Sequence, residues 1–209
     1  MYHLAQDYAE RNSTPADPLL EELEQYTRSY HPESHMLSGA LQGNFLSLFS
    51  QLLQPDRILE IGTFTGYSAL CLAKGLRLQG QLHTIELRES EAVVAQQFFD
   101  RSLYASQIIL HQGNAREIIP QLDQTWDLVF LDADKVSYID YFNMVFSSLR
   151  TKGFILADNV FFHGQVFGAE VKGKNAKAVA AFNEFIKSRT DVEVLLLPLR
   201  DGLSLIQKK

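Results

Sequence analysis

The sequence predicts a doubly wound α/β fold built on a seven-stranded, mostly parallel sheet. From Arg57 onward, short apolar runs of strand type alternate with longer segments of helical period, which is typical of parallel βαβ units. The last two apolar runs, residues 192–199 and 203–206, are separated only by Arg200-Asp201-Gly202. A connection this short joins antiparallel strands, so the last strand is expected to run against its neighbours.

The other elements follow in order along the chain. Extra N-terminal helices are expected at roughly 17–30, where a Pro-containing stretch marks a helix start, and at 39–53. Apolar residues at helical spacing then predict crossover helices on both faces of the sheet, each with one buried side. Two such apolar sets are Ala69, Leu72, Ala73 and Leu76, and Ile139, Phe142, Phe146 and Leu149. The remaining strands are expected at 58–61, 82–86, 108–110, 128–132 and 154–158.

Length and composition favour one globular domain. The 209 residues, 46% of them hydrophobic, can bury a substantial core, and no linker, internal repeat or low-complexity run divides them. The predicted domain spans residues 1–209, with the N-terminal helices up to about 54 and the sheet core from about 55.

The charge balance and the cysteine count restrict the expected binding partners and the expected cellular compartment. Nineteen basic against 25 acidic residues give a net charge of −6, which disfavours binding to the phosphate backbone of large nucleic acids. Cys71 is the only cysteine and lies among apolar residues, which excludes an internal disulfide and favours a reducing compartment. No signal-type segment or run of about 18 apolar residues occurs, so a cytoplasmic protein that does not enter membranes is predicted.

The turn after the first strand is the first candidate for ligand binding, because ligands of doubly wound sheets bind at the carboxyl ends of the strands. Gly62 and Gly66 bracket this turn, and Phe64 stands where a dinucleotide fold requires a glycine to make room for pyrophosphate. Glu86, at the end of the second strand, can accept hydrogen bonds from ribose hydroxyls. A nucleoside cofactor without pyrophosphate, S-adenosylmethionine, is therefore favoured. The alternatives are a purely structural glycine turn and a surface glutamate.

Oxygen-bearing side chains follow two further strands. Asp132 begins an Asp-Ala-Asp-Lys run, and the next strand ends in Asp158 and Asn159. Since both strand ends lie at one edge of the sheet, these three side chains can converge on a hard cation, Mg²⁺ or another divalent ion such as Mn²⁺ or Ca²⁺. The alternative is that they cap the helices that follow. His163, in the next loop, is a candidate for lining a substrate pocket.

Four short motifs at these strand ends belong together: Leu59-Glu60-Ile61-Gly62, Phe64-Thr65-Gly66-Tyr67-Ser68, Leu131-Asp132-Ala133-Asp134-Lys135 and Ala157-Asp158-Asn159. As a set they closely resemble the cation-dependent O-methyltransferases, a family with plant caffeoyl-coenzyme A, animal catechol and many bacterial members. The resemblance extends from about Met36 to the C-terminal hairpin and is nearer to the caffeoyl-coenzyme A and bacterial branch. It implies a Rossmann-like methyltransferase fold and a homodimer.

The resemblance also implies roles for individual residues. Asp132, Asp158 and Asn159 would hold the metal ion. Lys135 would be the general base on the attacking hydroxyl, in a catalytic centre shared with Asp132. Ser68 would lie near the carboxylate of the cofactor and Ala115 near its adenine. The implied contacts to S-adenosylmethionine come from Met36, Ser38, Glu60, Gly62, Phe64, Ser68, Glu86, Ala115, Asp132 and Asp134.

These expectations favour a metal- and S-adenosylmethionine-dependent O-methyltransferase acting on a small vicinal-dihydroxy, catechol-like aromatic. Three alternatives stay open: methylation of hydroxyuridine in tRNA, nucleoside binding without turnover, and an NAD-dependent oxidoreductase, which Phe64 disfavours. An aromatic loop within residues 161–175 could serve a pocket or a dimer contact. The basic residues that could serve tRNA are Arg77, Lys152, Lys172, Lys174 and Lys177, and the aromatic residues of the loop are Phe161, Phe162 and Phe167.

Overall fold

A computed structural model describes residues 2–168 and 170–209, with only the backbone for Tyr2 and His3. Met1, where the predicted domain begins, and Ala169, within the predicted aromatic loop, lie outside the described residues. The described part of the chain forms eight α-helices, none of them long and apolar enough to cross a membrane. They are α1 (Tyr2–Arg11), α2 (Pro18–Tyr30), α3 (Gly39–Leu53), α4 (Tyr67–Ala73), α5 (Glu89–Arg101), α6 (Ala115–Ile118), α7 (Tyr138–Phe146) and α8 (Lys174–Ser188). Short 3₁₀ helices lie at Ser34–Met36, Ile119–Gln121, Lys135–Ser137 and Gln165–Phe167.

The strands confirm the predicted fold class. They are β1 (Arg57–Ile61), β2 (Gln81–Glu86), β3 (Ile108–Gln112), β4 (Trp126–Leu131), β5 (Leu149–Asp158), β6 (Val192–Leu197) and β7 (Leu203–Lys208). Within the described residues they form one seven-stranded sheet in the order β3-β2-β1-β4-β5-β7-β6. The pairs β1–β4, β2–β3 and β4–β5 are parallel, whereas β7 is antiparallel to both β5 and β6, as the short final connection requires.

The chain divides into two compact units. The first contains the residues up to Asp56 together with Thr63–Gly113, and the second contains Arg57–Gly62 and Asn114–Lys209. Helices α1 to α5 and strands β2 and β3 thus belong to the first unit, and the other elements to the second. The single-domain organisation stays a prediction.

The core of the second unit is built on its parallel strands. The side chains of Ile58, Leu128 and Phe130 are fully buried, which fits strands that are covered on both faces and therefore have continuous apolar runs. Phe142 from α7 and Phe182 from α8 are equally buried. The candidate site residues follow at the ends of β1, β4 and β5.

Two crossover helices differ from their predicted form. All seven residues of α4 are buried, so it has no solvent-exposed side, and it ends at Ala73 before the predicted Leu76. Helix α7 ends at Phe146, and Leu149 is the first residue of β5. Helical spacing of apolar residues extends past the true helix ends because strand and turn residues can also be apolar. Helix α1 was not predicted, since half of residues 2–11 are polar and no long apolar run occurs there.

Asp17 begins α2 as predicted, and its removal is expected to destabilise the first unit. One carboxylate oxygen accepts a hydrogen bond from the Leu20 amide (3.0 Å) and the other lies 2.7 Å from Lys74 Nζ. The Asp17→Ala variant should lose about 1 kcal/mol of unfolding free energy, measured by urea titration at pH 7. Asp17→Asn, which keeps a capping oxygen but loses the charge, should lose less.

The same carboxylate predicts a pH dependence. Burial alone would raise the pKa of Asp17, but the hydrogen bonds from Lys74 and Leu20 outweigh it, so the pKa lies below its ordinary value of 3.8. Its contribution is therefore complete above pH 3.8 and is lost as the pH falls through the lowered pKa. The stability difference between the wild type and Asp17→Ala should shrink below pH 3.8. A difference that is constant from pH 7 to pH 2.5 would contradict the ion pair.

Candidate active site

The end of β1 comes into close contact with the end of β4 in the second unit. The Asp132 amide donates a hydrogen bond to the Ile61 carbonyl (2.9 Å). Gly62 follows with φ 101°, and a Cβ atom at this position would lie 2.1 Å from the carbonyl oxygen of Asp132. Only glycine fits this approach, because both the backbone conformation and the space exclude a side chain. Gly62 therefore lets the Asp132 segment pass directly beside β1.

Asp132 and Asp158 lie at equivalent positions at the ends of neighbouring parallel strands. Leu131 pairs with Ala157 in the register of β4 and β5, so the next residue of each strand is one of the two acids. Lys135 Nζ donates a hydrogen bond to Asp132 Oδ1 at 3.0 Å. Two carboxylates and an ammonium group thus lie at one edge of the sheet, where the sequence predicted the two acids.

The protonation of Lys135 follows from this arrangement. Burial would lower the pKa of Lys135, but the electrostatic influence of Tyr138, Asp132 and Asp158 outweighs it and raises the pKa well above its usual range. Lys135 is thus an ammonium ion when both carboxylates are charged. This direction is opposite to the lowered pKa expected of a general base.

The predicted cation ligands have the donor chemistry of a hard-metal site. Asn159 directly follows Asp158 and has a left-handed backbone conformation, with φ 56°. Two carboxylates and one amide oxygen are ligands that Mg²⁺ prefers, so the residues fit a divalent cation. No group of three or more His, Cys, Asp or Glu side chains suited to a metal occurs among the described residues. The predicted set contains only two such side chains, Asp132 and Asp158, and its third member is an amide.

Tyr138 connects the ends of β4 and β5. Its hydroxyl lies 3.1 Å from the Leu131 carbonyl oxygen and 3.0 Å from the Asp158 carbonyl oxygen, and it accepts a hydrogen bond from Lys135 Nζ at 2.6 Å. The side chain is fully buried, and burial raises the pKa of the phenol far above its usual range. Tyr138 is therefore a neutral phenol whose hydroxyl accepts from Lys135 and donates to the backbone carbonyls at the strand ends.

Asp134 is held by a second set of hydrogen bonds in the same unit. Ser137 Oγ donates to one oxygen of its carboxylate and Tyr141 donates to the other at 2.9 Å. Arg116 contacts Ser137 Oγ at 3.0 Å and Asp140 at 2.6 Å. Burial, followed by the bond to Asp134, raises the pKa of Tyr141 to about 12, so the phenol keeps its proton.

In the first unit, Glu86 is oriented by backbone amides. Its carboxylate accepts hydrogen bonds from the Phe64 amide at 2.7 Å and from the Arg88 amide at 3.0 Å. The residue is only 6% exposed, which contradicts the alternative of a surface glutamate. Gly66, with φ 97°, precedes α4, and a Cβ atom at this position would lie 2.7 Å from the Phe99 ring.

Most of the other predicted cofactor residues are buried, at the ends of helices or in β1. Ser38 is buried directly before α3, and Met36, in the preceding 3₁₀ helix, is 39% exposed. Ser68 is buried in the first turn of α4. In the second unit, Glu60 is fully buried in β1 and Ala115 is the buried first residue of α6. Their contacts to a cofactor stay predictions.

His163 lies in a loop that the β6–β7 connection holds in place. Its amide donates to Asp201 Oδ1 at 2.6 Å, and its ring nitrogen lies 3.6 Å from the other carboxylate oxygen. The side chain is 71% exposed, so it is accessible to an acceptor, and the pocket role stays a prediction.

The family assignment follows from comparison with known proteins. A family model described as O-methyltransferase matches residues 10–209. The chain belongs to this family. It is therefore an S-adenosylmethionine-dependent O-methyltransferase, which confirms the family predicted from its motifs.

Individual relatives support the assignment. The chain is 35% identical over 173 residues to a catechol O-methyltransferase of Niastella koreensis, covering 78% of each protein. It is 30% identical to a probable caffeoyl-CoA O-methyltransferase of Dictyostelium discoideum, covering 97% of this chain and 90% of the relative. The crystal structure of TomG, an O-methyltransferase of Streptomyces achromogenes in complex with S-adenosylmethionine, superposes with a TM-score of 0.89 at 30% identity. That comparison covers 99% of this chain and 96% of TomG.

Several residues of this O-methyltransferase site were missed by sequence reasoning. Tyr138 was missed because it lies among apolar residues of α7. Tyr141 bonds directly to Asp134, whereas Arg116 bonds to Ser137, which in turn donates to Asp134. The one available sequence signal for Tyr138 was its hydroxyl group, because the residue stands three positions after Lys135. No sequence signal distinguishes Arg116 from other surface arginines.

Proposed function

We propose that this O-methyltransferase transfers the methyl group of S-adenosylmethionine to one hydroxyl of a small vicinal-dihydroxy aromatic, with the help of a divalent cation. The observation that carries the proposal is the pair of carboxylates, Asp132 and Asp158, at the ends of neighbouring parallel strands beside Lys135. The names of the catechol and caffeoyl-CoA relatives support an acceptor with two adjacent ring oxygens.

Asp132, Asp158 and Asn159 would hold the cation in this proposal. When bound, such an ion lowers the pKa of a coordinated hydroxyl and fixes its direction. An acceptor with two neighbouring oxygens can chelate, whereas an isolated hydroxyl binds through one oxygen only. We therefore expect this donor set to favour vicinal diols as acceptors.

Lys135 would accept the proton of the attacking hydroxyl. Base action requires the neutral amine, which becomes accessible once the negative charge of Asp132 and Asp158 is compensated. The hydrogen bond from Lys135 to the Tyr138 hydroxyl fixes the direction of the ammonium group. Because the methyl group of the cofactor is already activated, the chain mainly has to deprotonate and align the acceptor.

The cofactor would be bound by residues at the strand ends. We propose that Glu86 accepts hydrogen bonds from the ribose hydroxyls, since its carboxylate is buried and oriented by two amides. The proposed contacts of the other cofactor residues follow the family resemblance, as does the assembly into a homodimer.

A methyl-transfer assay with labelled S-adenosylmethionine tests the proposal. Label should transfer to 1,2-dihydroxybenzene or caffeate, and not to the matched 1,3-dihydroxybenzene, whose oxygens are too far apart to chelate one ion. Transfer should stop when a chelator is added and return with Mg²⁺. Equal methylation of the two isomers, or full activity in the chelator, would contradict the metal-assisted mechanism. Transfer to bulk tRNA alone would replace the proposed acceptor by hydroxyuridine.

A further inference from the structure

Arg88 lies at the centre of a cluster of charged side chains in the first unit. Its Nη1 atom lies 2.6 Å from Glu33 Oε2, and its Nε atom lies 3.2 Å from Glu91 Oε1 and 3.5 Å from Glu86 Oε1. One guanidinium group therefore contacts three carboxylates from three different parts of the unit. Such charge-assisted contacts have a defined geometry because the guanidinium group is planar.

Arg88 also contacts both partners of the Phe64–Glu86 hydrogen bond. Its backbone amide donates to Glu86 Oε1 at 3.0 Å, while the Phe64 amide donates to Oε2. The guanidinium carbon lies 5.6 Å from the centre of the Phe64 ring, within the range of a cation–π contact. Backbone and side chain of Arg88 thus both restrict the carboxylate that we propose binds ribose.

The chain directly before Met36 and Ser38, two of the predicted cofactor contacts, is attached to the same cluster. Glu33 precedes the 3₁₀ helix that contains Met36, and it is the partner of Arg88 Nη1. His31 contributes a second attachment, since its ring packs edge-on against Phe64 at 4.6 Å and its Nε2 atom lies 3.0 Å from Glu91 Oε1. Segment 31–36 is therefore connected to the Phe64 turn by ionic and aromatic contacts.

We propose that Arg88 is a positioning residue for cofactor binding, which sets the orientation of Glu86 and holds segment 31–36 beside the Phe64 turn through Glu33. The inference rests on the proposed role of Glu86. Glu86 and Glu91 are nearly buried, with side chains 7% and 6% exposed, so their charges require nearby partners. Without Arg88 three carboxylates would be left close together, and their repulsion would move Glu86 away from its position.

The test is the affinity of the Arg88→Gln variant for S-adenosylhomocysteine, measured by isothermal titration calorimetry. We expect affinity to fall about 5- to 10-fold, which corresponds to the net loss of one hydrogen bond. The KM for S-adenosylmethionine should rise in parallel, while kcat at saturating cofactor should stay within about twofold, because Arg88 does not contact the reacting atoms. Arg88→Lys should restore part of the affinity, since it retains the charge but not the planar geometry.

Arg101→Gln is the matched control. Arg101 is the last residue of α5, the helix that begins directly after Arg88. It forms an ion pair with Glu22 of α2 and lies 5.3 Å from the centre of the Phe98 ring, but it does not contact Glu86 or Phe64. This variant should bind S-adenosylhomocysteine with wild-type affinity. Equal losses in the two variants would show a general structural effect and overturn the inference.

Glu33→Gln provides an independent variant if Arg88→Gln fails to fold. It removes the Glu33–Arg88 ion pair and leaves the contacts of Arg88 to the other two acids, so a smaller loss of affinity is expected, about twofold to fivefold. Wild-type affinity in a folded Glu33→Gln protein would contradict the proposal that the Glu33–Arg88 ion pair holds the segment for cofactor binding. A wild-type protein that does not bind S-adenosylhomocysteine would instead overturn the proposed function itself.

Discussion

Lys135→Ala is expected to lower kcat by about 10²- to 10⁴-fold, because a positioned general base typically contributes this factor. The substitution removes the side chain that bonds to Asp132 and Tyr138, and it leaves Glu86 and the Phe64 turn of the first unit intact. Affinity for S-adenosylhomocysteine, measured by calorimetry, should therefore be retained. Single-turnover rates with 1,2-dihydroxybenzene provide the measurement of the chemical step.

The control for this variant is Lys187→Ala. Lys187 is an exposed lysine of the same unit that pairs with Glu184 at 3.7 Å. Its removal should leave kcat unchanged. A Lys135→Ala protein with full activity would exclude Lys135 as the base. A parallel loss of cofactor binding would show that the substitution disturbs the site as a whole.

Asp158→Ala is expected to abolish divalent-cation binding and to reduce activity more than about 100-fold, since replacing even an outer-shell partner of a metal ligand typically costs 10- to 100-fold. Asp158 is almost completely buried at the end of β5, so water cannot readily replace its carboxylate. Binding of Mn²⁺, followed by electron paramagnetic resonance, measures the effect independently of catalysis. The activity that remains should no longer respond to added Mg²⁺.

Glu184→Ala serves as the matched carboxylate control, because Glu184 is exposed and pairs only weakly with Lys187. It should bind Mn²⁺ like the wild type. Wild-type Mn²⁺ affinity in a folded Asp158→Ala protein would remove Asp158 from the ligand set. A melting temperature measured beside each titration distinguishes a lost ligand from a lost fold.

The fold was predictable because its strands have strong local signals. Buried parallel strands contain continuous apolar runs, such as Leu128–Leu131 in β4, and the connection from β6 to β7 is too short for a crossover. Helix bounds were less accurate, as Leu149 shows: its apolar side chain fits the helical spacing, but it begins β5. Local spacing does not determine where backbone hydrogen bonds change from helix to sheet.

The site was predictable only where residues follow directly from a strand end. Asp132 and Asp158 were found because parallel strands end at one edge of the sheet, and the register of β4 and β5 places them there. The proposed role of Arg88 depends on a contact with a residue far along the chain, and that of Tyr138 on the burial of its hydroxyl group beside Asp158. Such contacts arise from tertiary packing and leave no local pattern in the sequence.

The Lys135–Asp132 ion pair has a consequence for the charge balance of the sheet edge. Lys135 places a positive charge beside Asp132, so the polypeptide itself offsets part of the repulsion between the acidic strand ends. In the proposed function, a bound cation would add to a neutralisation that the chain already contains.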